Sequence, residues 1–161
     1  MKNLIDTRLR NVYLKPGEIY VSSTPAFVST ILGSCVSVVI HSPEAGAGAI
    51  CHALLPSGSL EDGFRYVDST VHYIFEKLRA ITGQTGGFEA KLFGGADMLL
   101  LSQNKAATLS IGQQNIQAAH EALEKLGLTL TASDTSGQSG RKIFFNTRTG
   151  VVLMRHVKKT F

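Results

Sequence analysis

The chain has no tryptophan, four prolines and two cysteines in 161 residues, and each scarcity removes a class of protein. Two thiols cannot make the disulfide framework of a small secreted domain. No paired C-x-x-C is present, and a zinc site from Cys35, Cys51, His52 and His41 is hindered because neighbouring strand residues point to opposite faces; no metal or other cofactor is expected. With 43% hydrophobic and 17% charged residues, the chain lacks the composition of a disordered segment. No apolar stretch approaches the roughly 18 residues of a membrane span. The first ten residues carry Lys2, Asp6, Arg8 and Arg10 where a secretory leader would be apolar. The expectation is a cytoplasmic protein, without membrane insertion, whose thiols stay reduced. Positive charge is in slight excess but scattered: the net charge is +4, and Arg155, Lys158 and Lys159 form the densest cluster. No basic stripe with interleaved aromatics marks a nucleic-acid surface. The balance suits mild steering toward an acidic partner.

What is plentiful is glycine, 16 residues, as expected where short strands are joined by tight turns. The length fits one domain over residues 1–161. Residues 1–17 read as a lead-in ending at the Pro16-Gly17 turn signal. Strand-like runs follow at 18–22, 27–32, 35–41 and 49–55, the continuous apolar run 36–40 suiting a strand buried on both faces. Apolar residues at Val67, Val71, Ile74, Leu78 and Ile81 predict a helix over 66–81, with Asp68 near its start and Gly83 as its stop. A strand at 88–93 runs into Gly94-Gly95. A second helix is expected over 112–126 and closing strands over 128–133, 142–146 and 151–156. Strands outnumber helices and arrive in clusters, which predicts an α/β (α+β) layered domain.

Cys35 follows Gly33-Ser34 at a tight turn between two strands. A thiol there can project into a cleft while backbone N–H groups of the turn face a developing oxyanion, and Gly33 permits close approach of a substrate. A thiolate needs a base nearby, and His52 lies one strand and one reversal further on. Cys51 adjoins His52 but should face away from it, in an apolar run that suits a core residue. His41, His72, His120 and His156 read as surface or packing residues. The segment 134–141 reads as a polar turn or a substrate-facing rim. Asn115, near the start of the second helix, is placed either to cap it or to hold a neighbouring loop.

The segment SxPAFVSTILGSCVSVVIHSPEAGAGAICHALLP resembles the signature region of the chemoreceptor glutamine deamidases, the CheD family. The likeness continues in order through YVDSTVHYIFEKL, AKLFGGADM, IGQQNI and DTSGQSGRKIFFNTRTGVV, so it spans nearly the whole chain from about Lys15 to Arg155. The resemblance implies a layered sandwich of mixed sheets flanked by helices, similar to the catalytic domain of cytotoxic necrotizing factor toxins. It implies a protein-glutamine glutaminase that converts receptor glutamine side chains to glutamate through a thioester on Cys35, with His52 as base. The third member, six positions before the cysteine in the family, falls on Ser29, with Thr30 beside it. Gly33 and Ser34 would help hold the oxyanion and bind substrate. The implied partners are cytoplasmic domains of methyl-accepting chemotaxis receptors and a CheC-type phosphatase. A binding module that regulates the phosphatase without catalysis is the competing reading, and retention of both Cys35 and His52 favours the enzyme.

Overall fold

The computed structural model describes residues 8–98 and 109–157. In chain order these form β1 (Arg10–Tyr13), β2 (Ile19–Ser22), β3 (Ala26–Leu32), β4 (Val36–Ser42), β5 (Ala47–Cys51), α1 (Val67–Thr82), β6 (Glu89–Gly94), α2 (Ile111–Lys125), β7 (Leu130–Thr135), β8 (Gly140–Asn146) and β9 (Val152–Val157). The strands make two mixed sheets, one ordered β1-β3-β8-β9 and the other β2-β5-β4-β6-β7. The architecture is therefore a layered α+β sandwich: an open sheet, a second sheet, and two helices over the second sheet's far face.

Side-chain alternation explains the layering. Every residue of β4 is buried, because the strand has apolar side chains for both of its neighbours. Val36, Val38 and Ile40 join Ala49, Cys51 and Ala53 beneath Val71, Ile74 and Leu78 of α1. Val39 and Ile50 point the other way and meet Val28, Leu32, Ile143 and Phe145 of the first sheet. Each such side chain contributes on the order of 1.5–3 kcal/mol, so a charge at Val38 would be felt by the whole helical layer. Helix α1 ends where Gly83 takes a left-handed φ of 70° and its N–H returns to the Arg79 carbonyl at 2.8 Å, the stop expected of glycine there. Helix α2 begins with a capping box in which the Ser110 hydroxyl accepts from the Gln113 N–H and the Gln113 side chain accepts from the Ser110 N–H. Ser110 therefore caps this helix, and Asn115 is free for the other role expected of it.

One stretch departs from expectation. The lead-in contains β1, which pairs parallel with β3 from Arg10↔Ala26 to Tyr13↔Ser29. It is a short, largely exposed edge strand bearing an arginine, and such edges carry little apolar alternation for sequence to display.

Candidate active site

The site is built where β4 and β5 part. The last pairing between them is the bridge Val36↔Ala53, and both residues belong to the helix-facing core. Their neighbours Cys35 and His52 must therefore turn to the opposite face, into the space between the sheets. Cys35 does pack at the edge of that inter-sheet cluster. Cys51 lies in the helix-facing core, away from His52, as strand parity predicts. The register sets Cys35 and His52 diagonally on one face, a relation that puts residues roughly 7–8 Å apart or less between their Cβ atoms. The thiol and the imidazole do not hydrogen-bond to one another in this structure.

His52 is held from the facing sheet. Its Nδ1 lies 2.6 Å from the Thr30 hydroxyl, while that hydroxyl donates its one hydrogen to the Leu14 carbonyl at 2.7 Å. With its proton committed, Thr30 Oγ1 can only accept, so Nδ1 carries the ring hydrogen and Nε2 holds the lone pair. Nε2 makes no hydrogen bond among the described residues, yet it is not sealed from solvent. The hydrogen bond that the resemblance led us to expect from Ser29 thus comes from Thr30. Thr30 is fully buried beside Val28 and Leu32, whereas Ser29 shares the outer face of the sheet with Ile31, which is 44% exposed. Adjacent strand residues cannot both face inward.

Burial governs the protonation of the pair. It pushes His52 down to about 4 and raises Cys35 above the ordinary thiol value, a rise partly offset by the cysteine's own backbone N–H. At neutral pH the resting site is therefore thiol and neutral imidazole, not an ion pair. Burial lifts Cys51 to about 12, which makes it inert.

The turn that carries Cys35 is gripped from one side by the Gly94-Gly95 strand end. Gly95 N–H donates to the Cys35 carbonyl at 2.9 Å and Ala96 N–H to the Gly33 carbonyl at 3.0 Å. Gly94 has φ of 107°, and a Cβ there would overlap the Cys35 carbonyl oxygen, so glycine is required on both counts. The strand end is braced in turn: the Ser136 N–H donates to the Gly94 carbonyl at 3.1 Å. Arg141 holds that loop with 2.7 Å to Asp134 Oδ1 and 2.8 Å to the Ser136 carbonyl. The segment read as a turn or rim thus places Asp134 in β7 as the partner of a buried arginine. The sequence signals this pair only through an aspartate and an arginine seven residues apart, Asp134 and Arg141. Among the described residues, the N–H groups of Ser34 and Cys35 donate to no other residue.

A cavity of about 250 Å³ borders the turn at Ser34, walled by Ala96, Met98, Ile111 and Gly112. A larger cleft of about 490 Å³ between α1 and α2 includes Asp68, His72, Glu121 and Lys125. It touches none of Cys35, His52 and Thr30, so size does not mark the chemistry here. Of the other histidines, His41 is buried with Nε2 at 3.0 Å from the Arg148 carbonyl, a packing role. His72 and His120 lie on the helices and His156 on β9.

A thiol, an oriented imidazole and a hydroxyl at the split end of a two-sheet sandwich are the side chains on which cysteine-nucleophile chemistry runs. The comparisons with known proteins narrow that class. The family model described as CheD chemotactic sensory transduction matches residues 54–156, a span that begins just after His52. The "Probable chemoreceptor glutamine deamidase CheD 2" of Geobacter sulfurreducens is 43% identical over 95% of this chain and 94% of its own length. The "Probable chemoreceptor glutamine deamidase CheD" of Maridesulfovibrio salexigens is 39% identical over 94% of each chain. Among solved structures, the Bacillus licheniformis hypothetical protein YfiH overlaps 74% of this chain and 51% of its own at 13% identity and a TM-score of 0.49, a likeness too slight to bear on function. The chain belongs to the CheD family. Among the described residues, no helix is long and apolar enough to cross a membrane.

Proposed function

We propose that this protein is a chemoreceptor glutamine deamidase working through a Cys35 thioester, with His52 as base and Thr30 as the residue that orients it. The observation that carries the reading is the Leu14–Thr30–His52 hydrogen-bond chain, which leaves Nε2 free to take a proton. A neutral imidazole facing a neutral thiol suits general-base attack and not a standing thiolate. Nε2 removes the Cys35 proton as sulfur bonds to the carboxamide carbon, and the resulting oxyanion meets the N–H groups of Ser34 and Cys35, which no other described residue engages. The imidazolium then protonates the departing nitrogen, ammonia leaves and a thioester remains. Water, deprotonated by Nε2, attacks that thioester; sulfur leaves and regains its proton, and the product is glutamate. The imidazole is tied to the facing sheet while Cys35 sits on a turn, so bringing sulfur to Nε2 falls to the cysteine, as often happens only when substrate arrives.

The relatives' names supply the substrate class: glutamine side chains on chemoreceptors, which implies a cytoplasmic site of action. A CheC-type phosphatase is the further partner the family resemblance brings. The test is to incubate the protein with a receptor cytoplasmic fragment and follow the gain of about 1 Da per converted glutamine, comparing wild type with Cys35→Ala and His52→Ala. Both variants should fall to background. Conversion that survives Cys35→Ala sinks the mechanism, and absence of conversion together with tight phosphatase binding favours the binding-module reading.

A further inference from the structure

Asn115 stands at the point where the β4–β5 ladder fails. Val36 and Ala53 exchange both backbone hydrogen bonds, at 3.1 and 2.9 Å. In an antiparallel ladder the next such pair lies two residues on, which here would be Ser34 with Leu55. Leu55 has left the ladder: its N–H donates to the Arg65 carbonyl at 3.1 Å and its own carbonyl accepts from Val67 at 2.8 Å. The Leu54 N–H also turns to Arg65, at 2.8 Å. The split leaves the carbonyls of Ser34 and Leu54 without strand partners, inside the protein. Asn115 Nδ2 donates to both, at 3.0 Å and 2.9 Å.

The arrangement has a cost and a consequence. Asn115 is fully buried and its Oδ1 has no partner, an omission worth on the order of 1–3 kcal/mol. Reversing the amide would set its oxygen against two carbonyl oxygens, so the orientation is fixed. Helix α2 is brought close enough for this because a Cβ at Gly112 would overlap the Gly95 and Ala96 carbonyls. The Ser34 carbonyl and the Cys35 N–H belong to one peptide plane and point in opposite directions. Gripping the carbonyl therefore fixes where the N–H points, and a hydrogen bond on one end of a peptide polarises the other.

We infer that Asn115 is a positioning residue that aims the Cys35 N–H at the oxyanion and holds the strands apart around the nucleophile. This rests on the deamidase reading with Cys35 as nucleophile. Its signature is a split between two reactions of the same sulfur. Deamidation builds an oxyanion, whereas alkylation of the thiol by iodoacetamide does not.

The experiment uses the full chain with a receptor cytoplasmic fragment, measuring ammonia release, and separately the rate of iodoacetamide addition by intact mass. Asn115→Ala should lower kcat by about 10–100-fold, leave KM within about two-fold, and change the alkylation rate by less than about three-fold. Leu123→Ala, a core truncation in the same helix, controls for loss of stability and should keep kcat per folded molecule. The inference is overturned if Asn115→Ala keeps its kcat, if alkylation falls in step with kcat, or if Leu123→Ala loses kcat equally. Ammonia release that persists in Cys35→Ala, or never occurs, overturns the underlying deamidase reading instead, and the inference with it.

Discussion

Replacing Thr30 with valine keeps the shape of the side chain and deletes its hydroxyl. Two buried groups then lose a partner: the Leu14 carbonyl, now bonded at 2.7 Å, and His52 Nδ1, now at 2.6 Å. Each unsatisfied buried group costs about 1–3 kcal/mol, so the unfolding free energy should fall by about 2–6 kcal/mol, the lower part applying if the ring relaxes. Catalysis should suffer separately, because the imidazole is no longer held with its proton on Nδ1. A loss of about 1.4–2.8 kcal/mol in the transition state corresponds to about a 10–100-fold drop in kcat. Thr30→Ser retains the hydroxyl and should stay within a few-fold of wild type, at roughly 1 kcal/mol of stability for the lost methyl. Ser29→Ala, on the outer face, should leave kcat unchanged. Chemical denaturation gives the first quantity and ammonia release the second. Full activity in Thr30→Val, or a Ser29→Ala defect as large as that of Thr30→Val, would refute the reasoning.

His52 also makes stability depend on pH. Unfolded, the ring takes up a proton below about 6.5; folded, it resists until about 4. Between those values the unfolded state binds more protons, so stability falls as pH drops, by up to about 3 kcal/mol, and the loss is complete near the lower value. Denaturation from pH 7 to 4 should show this slope, and His52→Gln should reduce it; an equal slope in the variant counts against it. Gly94→Ala forces a Cβ onto the Cys35 carbonyl at a φ of 107°, so it should lower Tm and reduce ammonia release by more than the unfolded fraction explains. Cys51→Ala should cost about 1 kcal/mol of stability by thermal melting and leave deamidation intact. Because Cys51 is raised to about 12, native alkylation at pH 8 should add one iodoacetamide group, on Cys35; two adducts would contradict its burial.

How much was legible depended on how local each feature is. The helices announced themselves by spacing, and Gly83 stands in a left-handed conformation after the first of them, as its position suggests. The apolar run of β4 foretold a strand buried on both faces, and strand parity alone sent Cys51 away from His52. Parity failed for the hydroxyl. In β3 both faces carry apolar residues, Phe27 and Ile31 on one and Val28 and Leu32 on the other, so alternation could not say whether Ser29 or Thr30 looked inward. Only the facing sheet decided that, by bringing Val39, Ile50 and His52 against the side on which Val28 and Thr30 stand.

The amino-acid sequence by itself thus determined both helices, the strands other than β1, and the family, because these reside in short segments and their order. The tertiary structure decided which hydroxyl orients His52, which tautomer results and what occupies the gap in the β4–β5 ladder. Each of those depends on contacts between residues far apart in the chain: Leu14 with Thr30, Thr30 with His52, and Asn115 with Ser34 and Leu54. A hydrogen bond across two sheets is set by the faces they present to one another, and those faces exist only once both sheets have formed.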